Sequence, residues 1–251
     1  MLIEQEQHPH LANAPIVEAV IDWKAKLPEP FEMAKLKQVG DLISRGYSHV
    51  DEQRQFEHLI QVSESEPKQS VRQMGVQAYR YRSADETRIA VLRRDGFSFS
   101  RLKPYTNWDE VFAEAFALWG IYSSRVNPEE ISRIAVRYIN RLLLPLPIVD
   151  FAEYLTAPPT LPEKIPQLLS AFVMQTVVHE PGSDISARIT QAIESGPIGD
   201  KLPILLDIDA FINKSFSPED NDLQDLFTGL REMKNRIFFA SLTKKTVDLF
   251  R

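Results

Sequence analysis

The feature that most restricts how this chain can fold is a period-two alternation that occurs twice. In RIAVRYINRLLLP, residues 133–145, Ile134, Val136, Tyr138, Leu142 and Leu144 fall on one side with Asn140 among them, and Arg133, Arg137 and Arg141 fall on the other. Successive side chains of a strand point to opposite faces, so this pattern describes a strand with one buried face and a row of guanidinium groups opposite. Residues 16–28 follow the same plan with the opposite charge sign. Val17, Ala19, Ile21, Trp23, Ala25 and Leu27 form the apolar side, and Glu18, Asp22, Lys24 and Lys26 the polar one. If the two strands are neighbours, Glu18 and Asp22 are expected to meet Arg137 and Arg141 across the sheet.

The rest of the chain arranges itself around these two stretches. Leu36, Val39, Leu42 and Ile43 recur at helical spacing over 31–44, and Gly46 closes that helix. Between 47 and 105 the pattern is extended, with segments at about 49–63, 76–83, 87–94 and 96–103. Residues 64–73 form a polar connection, and 84–86 and 94–96 form tight turns, the second carrying the Asp-Gly pair that favours hairpins. Thr106 caps a long helix with Asp109 and Glu110 in its first turn, and Asn127-Pro128 ends it. After the arginine strand come a helical turn at 150–155, a proline-rich stretch at 157–166, and extended segments at 171–180, 185–194 and 203–212. A long helix entered at Ser217-Pro218 carries Leu223, Leu226, Phe227, Leu230, Met233 and Ile237, and a short helix closes the chain near 246–250.

Strand, helix, meander and long helix therefore occur in the same order in residues 1–126 and 127–251. This describes an α+β fold of two similar halves in one mostly antiparallel sheet with the helices on one face, and it resembles the tandem saddle of TATA-binding-protein-like folds.

Composition narrows the chemistry. A chain of 251 residues with 43% hydrophobic and 25% charged residues reads as an ordinary globular protein. It holds no cysteine, which removes disulfides, thiolate nucleophiles and iron–sulfur ligation. With five scattered histidines, a histidine-based metal site is not expected, and residues 1–12, which include His8 and His10, read as a loose tail. The nine glycines form neither a dinucleotide nor a phosphate loop, and no nucleophile elbow or metalloprotease pair occurs. No cofactor is expected. No stretch approaches the roughly 20 apolar residues of a membrane helix, and no signal-like segment opens the chain, so a cytoplasmic protein without a membrane partner is expected.

Net charge is −6, which argues against a general grip on nucleic acid. Residues 72–103 nonetheless hold eight Lys or Arg against three Asp or Glu. Arg80, Arg82, Arg88, Arg93, Arg101 and Lys103, interleaved with aromatics, are the candidates for a nucleic-acid surface, and solvated strand faces are the plainer explanation. Glu18, Asp22, Arg137, Arg141, Asp207 and Asp209 are the candidate ligand-binding set. Asp207 and Asp209 project together from one strand and repel unless a cation, an arginine or water lies between them. They form cross-strand ion pairs, or they line a cleft that takes a charged ligand, with Mg²⁺ as one means of doing so. Tyr105 and Trp108 sit beside a helix start, where backbone N–H groups attract anions and where aromatics also simply pack. Lys234, Asn235 and Arg236 complement the dipole of the last long helix.

Five stretches, NAPIVEAV at 13–20, DGFSFSRLKPYTNW at 95–108, RYINR at 137–141, LDIDAF at 206–211 and KNRIFFASLT at 234–243, give the chain its resemblance to a sporadically distributed bacterial protein family of about this length with no established activity. The resemblance implies a soluble bacterial protein, and scattered occurrence suits mobile-element, defence or toxin–antitoxin modules. It carries over no catalytic residue. The functional expectation is a non-enzymatic binding or interaction module with a protein partner or a second copy of itself. The alternatives are a metal-dependent phosphodiesterase or nuclease built on Glu18, Asp22, Asp207 and Asp209, and a nucleic-acid binder that uses the basic meander.

Overall fold

The computed structural model describes residues 8–9, 11–61, 68–194 and 196–251, and of 55–61 and 68–74 the backbone alone. The alternation at 16–28 becomes β1 (Ile16–Lys26), and that at 133–145 becomes β6 (Glu130–Pro145). The two strands pair directly and antiparallel, with Val20 opposite Arg137 and Asp22 opposite Ala135. Between them in sequence lie α1 (Ala34–Ile43), β2 (His49–Gln61), β3 (Lys68–Arg82), β4 (Arg88–Arg93), β5 (Gly96–Leu102) and α2 (Trp108–Val126). After β6 come a single 3-10 turn (Phe151–Glu153), β7 (Val173–His179), β8 (Ile185–Ile193), β9 (Lys201–Ile212), α3 (Leu223–Ser241) and α4 (Lys244–Asp248).

All nine strands join one antiparallel sheet in the order β2-β3-β4-β5-β1-β6-β9-β8-β7. The last strand of each meander returns to its own opening strand, β5 to β1 and β9 to β6, which places the two alternating strands at the centre. Direct cross-strand partners share a face, so Tyr81, Ala90, Phe99, Ile21, Val136 and Ala210 form one apolar row. The helices pack on this side. Trp23 stacks on Trp119 of α2 with ring centroids 5.2 Å apart and meets Phe227 of α3 at 4.8 Å, so both long helices converge over β1. Fully buried, such a tryptophan contributes on the order of 3–5 kcal/mol relative to alanine.

Two glycines allow close approach. A Cβ on Gly40 of α1 would lie 1.8 Å from the hydroxyl of Tyr81, so the helix rests directly on β3. Gly96, at φ +140, closes the β4–β5 turn where a Cβ would lie 2.0 Å from the carbonyl of Trp23.

Several boundaries differ from the sequence reading for local reasons. Asn107, not Thr106, caps α2: its side chain accepts from the N–H of Glu110, and its amide donates to the Glu110 carboxylate. Ser217 and Asp220 hold turns through the N–H groups of Glu219 and Asp222, which delays α3 to Leu223. The connection expected at 64–73 is shorter, because β3 begins at Lys68; residues 62–67 lie outside the described residues, as does His10. The tail expected at 1–12 is partly placed, with His8 stacked on Phe239 and Asn13 N–H donating to the carbonyl of Phe250. Among the described residues no helix is long and apolar enough to cross a membrane.

Candidate functional site

The sheet face away from the helices carries the charged residues singled out in the sequence. Strand alternation places Asp22, Arg133, Arg137, Arg141, Asp207 and Asp209 there, and the sheet twist joins them along diagonals. Asp22 accepts from Arg93 at 2.7 Å and from Arg133 at 3.4 Å. The same Arg133 grips both oxygens of Asp209 at 3.0 and 2.8 Å and lies 4.9 Å from the ring of Phe211. Arg188 approaches Asp209 at 3.6 Å, and Arg93 also donates to Asp95. Further along, Arg137 makes a forked contact with Asp207 at 2.9 and 2.6 Å, and Arg141 reaches Glu194 at 2.5 Å.

The expected contact of Glu18 and Asp22 with Arg137 and Arg141 is therefore not made. Register places Asp22 one diagonal step from Arg133, while Glu18, opposite Ile139, touches Arg137 only through its nearby charge. The hydrogen bonds to Asp207 raise the Arg137 guanidinium above its ordinary value. In this belt five guanidinium groups meet five carboxylates, and Asp22 and Asp209 each sit between two arginines. Among the described residues no group of three or more His, Asp or Glu side chains is placed to hold a metal ion.

The basic meander does not form one patch. Arg80, Arg82 and Arg93 lie on the open face, in register with Ser98, Ser100 and Asp22. Arg88 and Arg101 lie on the helix side, where Arg88 pairs with Glu114 of α2 at 3.0 Å and Arg101 donates to Thr87 and to the carbonyl of Pro104. Lys103 follows β5 and lies at a pocket on the helix side.

That pocket, of about 580 Å³, is enclosed by residues 8–9 and 11–16, the stretch leading into α2, β6 and α3. At its floor Tyr138 of β6 shares a hydrogen bond of 2.9 Å with the hydroxyl of Tyr105. Burial raises both phenols, Tyr138 strongly, so both carry their protons at neutral pH. The ammonium of Lys234 lies 3.8 Å from the centre of the Tyr138 ring and donates to Asn235 at 2.5 Å. Burial, with the charge of Arg231 one turn earlier, pulls Lys234 down to about 7. Arg231 itself lies 5.4 Å from the ring of Trp108. Asn140 donates to the carbonyls of Leu206 and Tyr138.

Lys103, Arg231 and Lys234 line this pocket, and among the described residues no carboxylate does. In a chain of net charge −6, the described lining of this pocket carries cations and no acid. Tyr105, Trp108, Asn140 and Lys234, read separately in the sequence, are brought together here. Residues 13–16, 103–108, 138, 140, 234–235 and 238–239 contribute to the lining, and Leu206 accepts from Asn140. A signal for Lys234 was present in the sequence. It falls four residues after Leu230 and three before Ile237, within the buried stripe of α3, where an unpaired lysine is out of place.

No protein-family model, no curated protein and no solved structure matches this chain.

Proposed function

We propose that this protein is a non-enzymatic binding module, and that its ligand is a small organic anion with an apolar or aromatic body, held in the pocket around Lys234. The observation that carries the reading is a concave site lined, among the described residues, by three cationic side chains and no carboxylate. Arg231 and Lys234 would meet the anionic group, the Tyr105 and Tyr138 hydroxyls and Asn140 would fix its orientation, and Trp108, Phe238 and Phe239 would cover the body. In the defence or toxin–antitoxin setting that the family resemblance implies, such a module would serve as the sensing component.

Thermal unfolding with aromatic and aliphatic carboxylates and phosphates, each beside its neutral amide or alcohol, tests this. Anions are expected to raise the melting temperature and their neutral counterparts not to, with the shift lost in Arg231→Met. Equal shifts for both members of each pair would sink the reading.

A protein partner is a second reading, supported by β7. This strand is an edge of the sheet, and Val173, Val177 and Val178 are exposed beside an unpaired backbone row. Antiparallel pairing of two copies about Thr176 would set Val173 opposite His179 and Gln175 opposite Val177 with no like charges facing. Sedimentation velocity should then show a dimer that Val177→Lys dissociates without altering the monomer's stability by more than about 0.5 kcal/mol.

A further inference from the structure

Lys234 is placed unlike any other lysine of the described structure. Its side chain is buried within α3, its ammonium faces an aromatic ring, and its hydrogen-bond partner is the neutral amide of Asn235. No described carboxylate lies within ion-pair distance of it, whereas Lys26, Lys214, Lys244 and Lys245 all have one. A buried lysine whose role is structural is normally neutralised by an acid, because an isolated ammonium away from water is costly. An amine with no described acid beside it, at the wall of a pocket, is the arrangement that makes a nucleophile of lysine.

The neighbours complete a reactive site. Arg231, one turn earlier on α3, offers a fixed cation against the Trp108 ring. The hydrogen-bonded pair of phenols offers protonated hydroxyls beside the amine. We infer that the Lys234 amine condenses with the carbonyl of a 2-oxo acid bearing an apolar or aromatic side chain, its carboxylate held by Arg231, to give a protein-bound imine. This rests on the anion-binding reading of the pocket and adds a covalent bond to it.

The step needs no oxidant or reductant. The Nζ lone pair attacks the carbonyl carbon, the carbonyl π pair moves to oxygen and takes up a proton, and nitrogen loses one, giving a carbinolamine. The hydroxyl then leaves as water, protonated from the Tyr105–Tyr138 pair, while the nitrogen lone pair forms the C=N bond. Loss of the remaining N–H proton to that pair restores it. One amine and one carbonyl give one imine and one water, and water reverses the step.

The test traps the imine. The full chain is incubated with phenylpyruvate, reduced with cyanoborohydride, and read by intact mass and peptide mapping. A single adduct at Lys234 is expected, absent from Lys234→Arg, which keeps the positive charge but offers no amine. Trapping is expected to slow in Tyr105→Phe and to rise with pH through about 7, where Lys234 loses its proton. The described charged and titratable side chains that line the pocket with the amine are Arg231, Lys103, His8 and the two phenols. The profile is therefore repeated in His8→Gln, which removes the imidazole from the lining. Phenyllactate, with a hydroxyl in place of the carbonyl, separates the two ideas. If it raises the melting temperature while the wild type is labelled only at surface lysines, the imine is overturned and the anion site stands. If it has no effect and no Lys234 adduct forms, both fall. The peptide map of the wild type decides the matter even if a variant fails to fold.

Discussion

The two sides of the central strands treat charge in opposite ways. On the open face of β1, β6 and β9, Arg133 lies between Asp22 and Asp209, and Arg137 is forked onto Asp207. On the helix side, a few residues along the same β6, Lys234 and Arg231 face Tyr138 and Trp108, and no described acid lines the pocket they share. A saturated network offers a ligand nothing that its own members do not already take, and is best understood as a device that holds five strands in register. An uncompensated pair of cations in a pocket leaves a favourable interaction still to be made. The difference teaches that a row of charges in a sequence is a weak guide to function until its counter-charges are located.

The largest test of this contrast is to remove one cation from each side. Arg133→Met takes one of two arginines from each of two nearly buried carboxylates, leaving Asp22 with Arg93 and Asp209 with Arg188, so a loss of about 3 kcal/mol is expected in urea unfolding. Lys234→Met should act in the opposite direction, raising stability by about 2 kcal/mol near pH 6, because it removes a buried charge with no partner acid. Destabilisation by both to a similar degree would break the comparison.

The pH dependence of the second variant sharpens it. Lys234 is lowered from an ordinary 10.5 to about 7 by burial and then by Arg231. Between those values the unfolded chain binds a proton that the folded chain does not, so stability rises with pH. The penalty is fully present below about 7 and is relieved as pH approaches 10.5. The stability gap between Lys234→Met and the wild type should therefore narrow across that window, and a constant gap would show that Lys234 is not desolvated in the folded protein. The smallest effect is expected from Tyr105→Phe, which leaves the Tyr138 hydroxyl without its partner and costs about 1 kcal/mol, measured by the same unfolding.

Much of the architecture was legible in the chain. The alternation of Ile134, Val136 and Tyr138 with Arg133 and Arg137 identified a strand, its buried face and its charged face, because burial of apolar side chains selects one side of a pleated strand. The Asp95-Gly96 turn and the apolar stripe of α3 were readable for the same local reasons. The ionic partners were not readable. Asp22 was expected opposite Arg137 or Arg141, and the register gave it Arg133 and Arg93 instead. A diagonal step depends on sheet twist and on a bulge between Ile16 and Glu18, neither of which local pattern reveals.

The sequence by itself thus determined the alternating strands, the helices that cover them, the absence of any cysteine chemistry and the excess of acid over base. Only the tertiary structure decided which of those charges meet. It brought Tyr105 from the approach to α2, Asn140 from β6 and Lys234 from α3 to one pocket, and kept every described carboxylate out of its lining. Periodicity is a property of neighbours along a chain and is set by burial. A binding site is a property of neighbours in space, set by strand order and by where two helices cross a sheet.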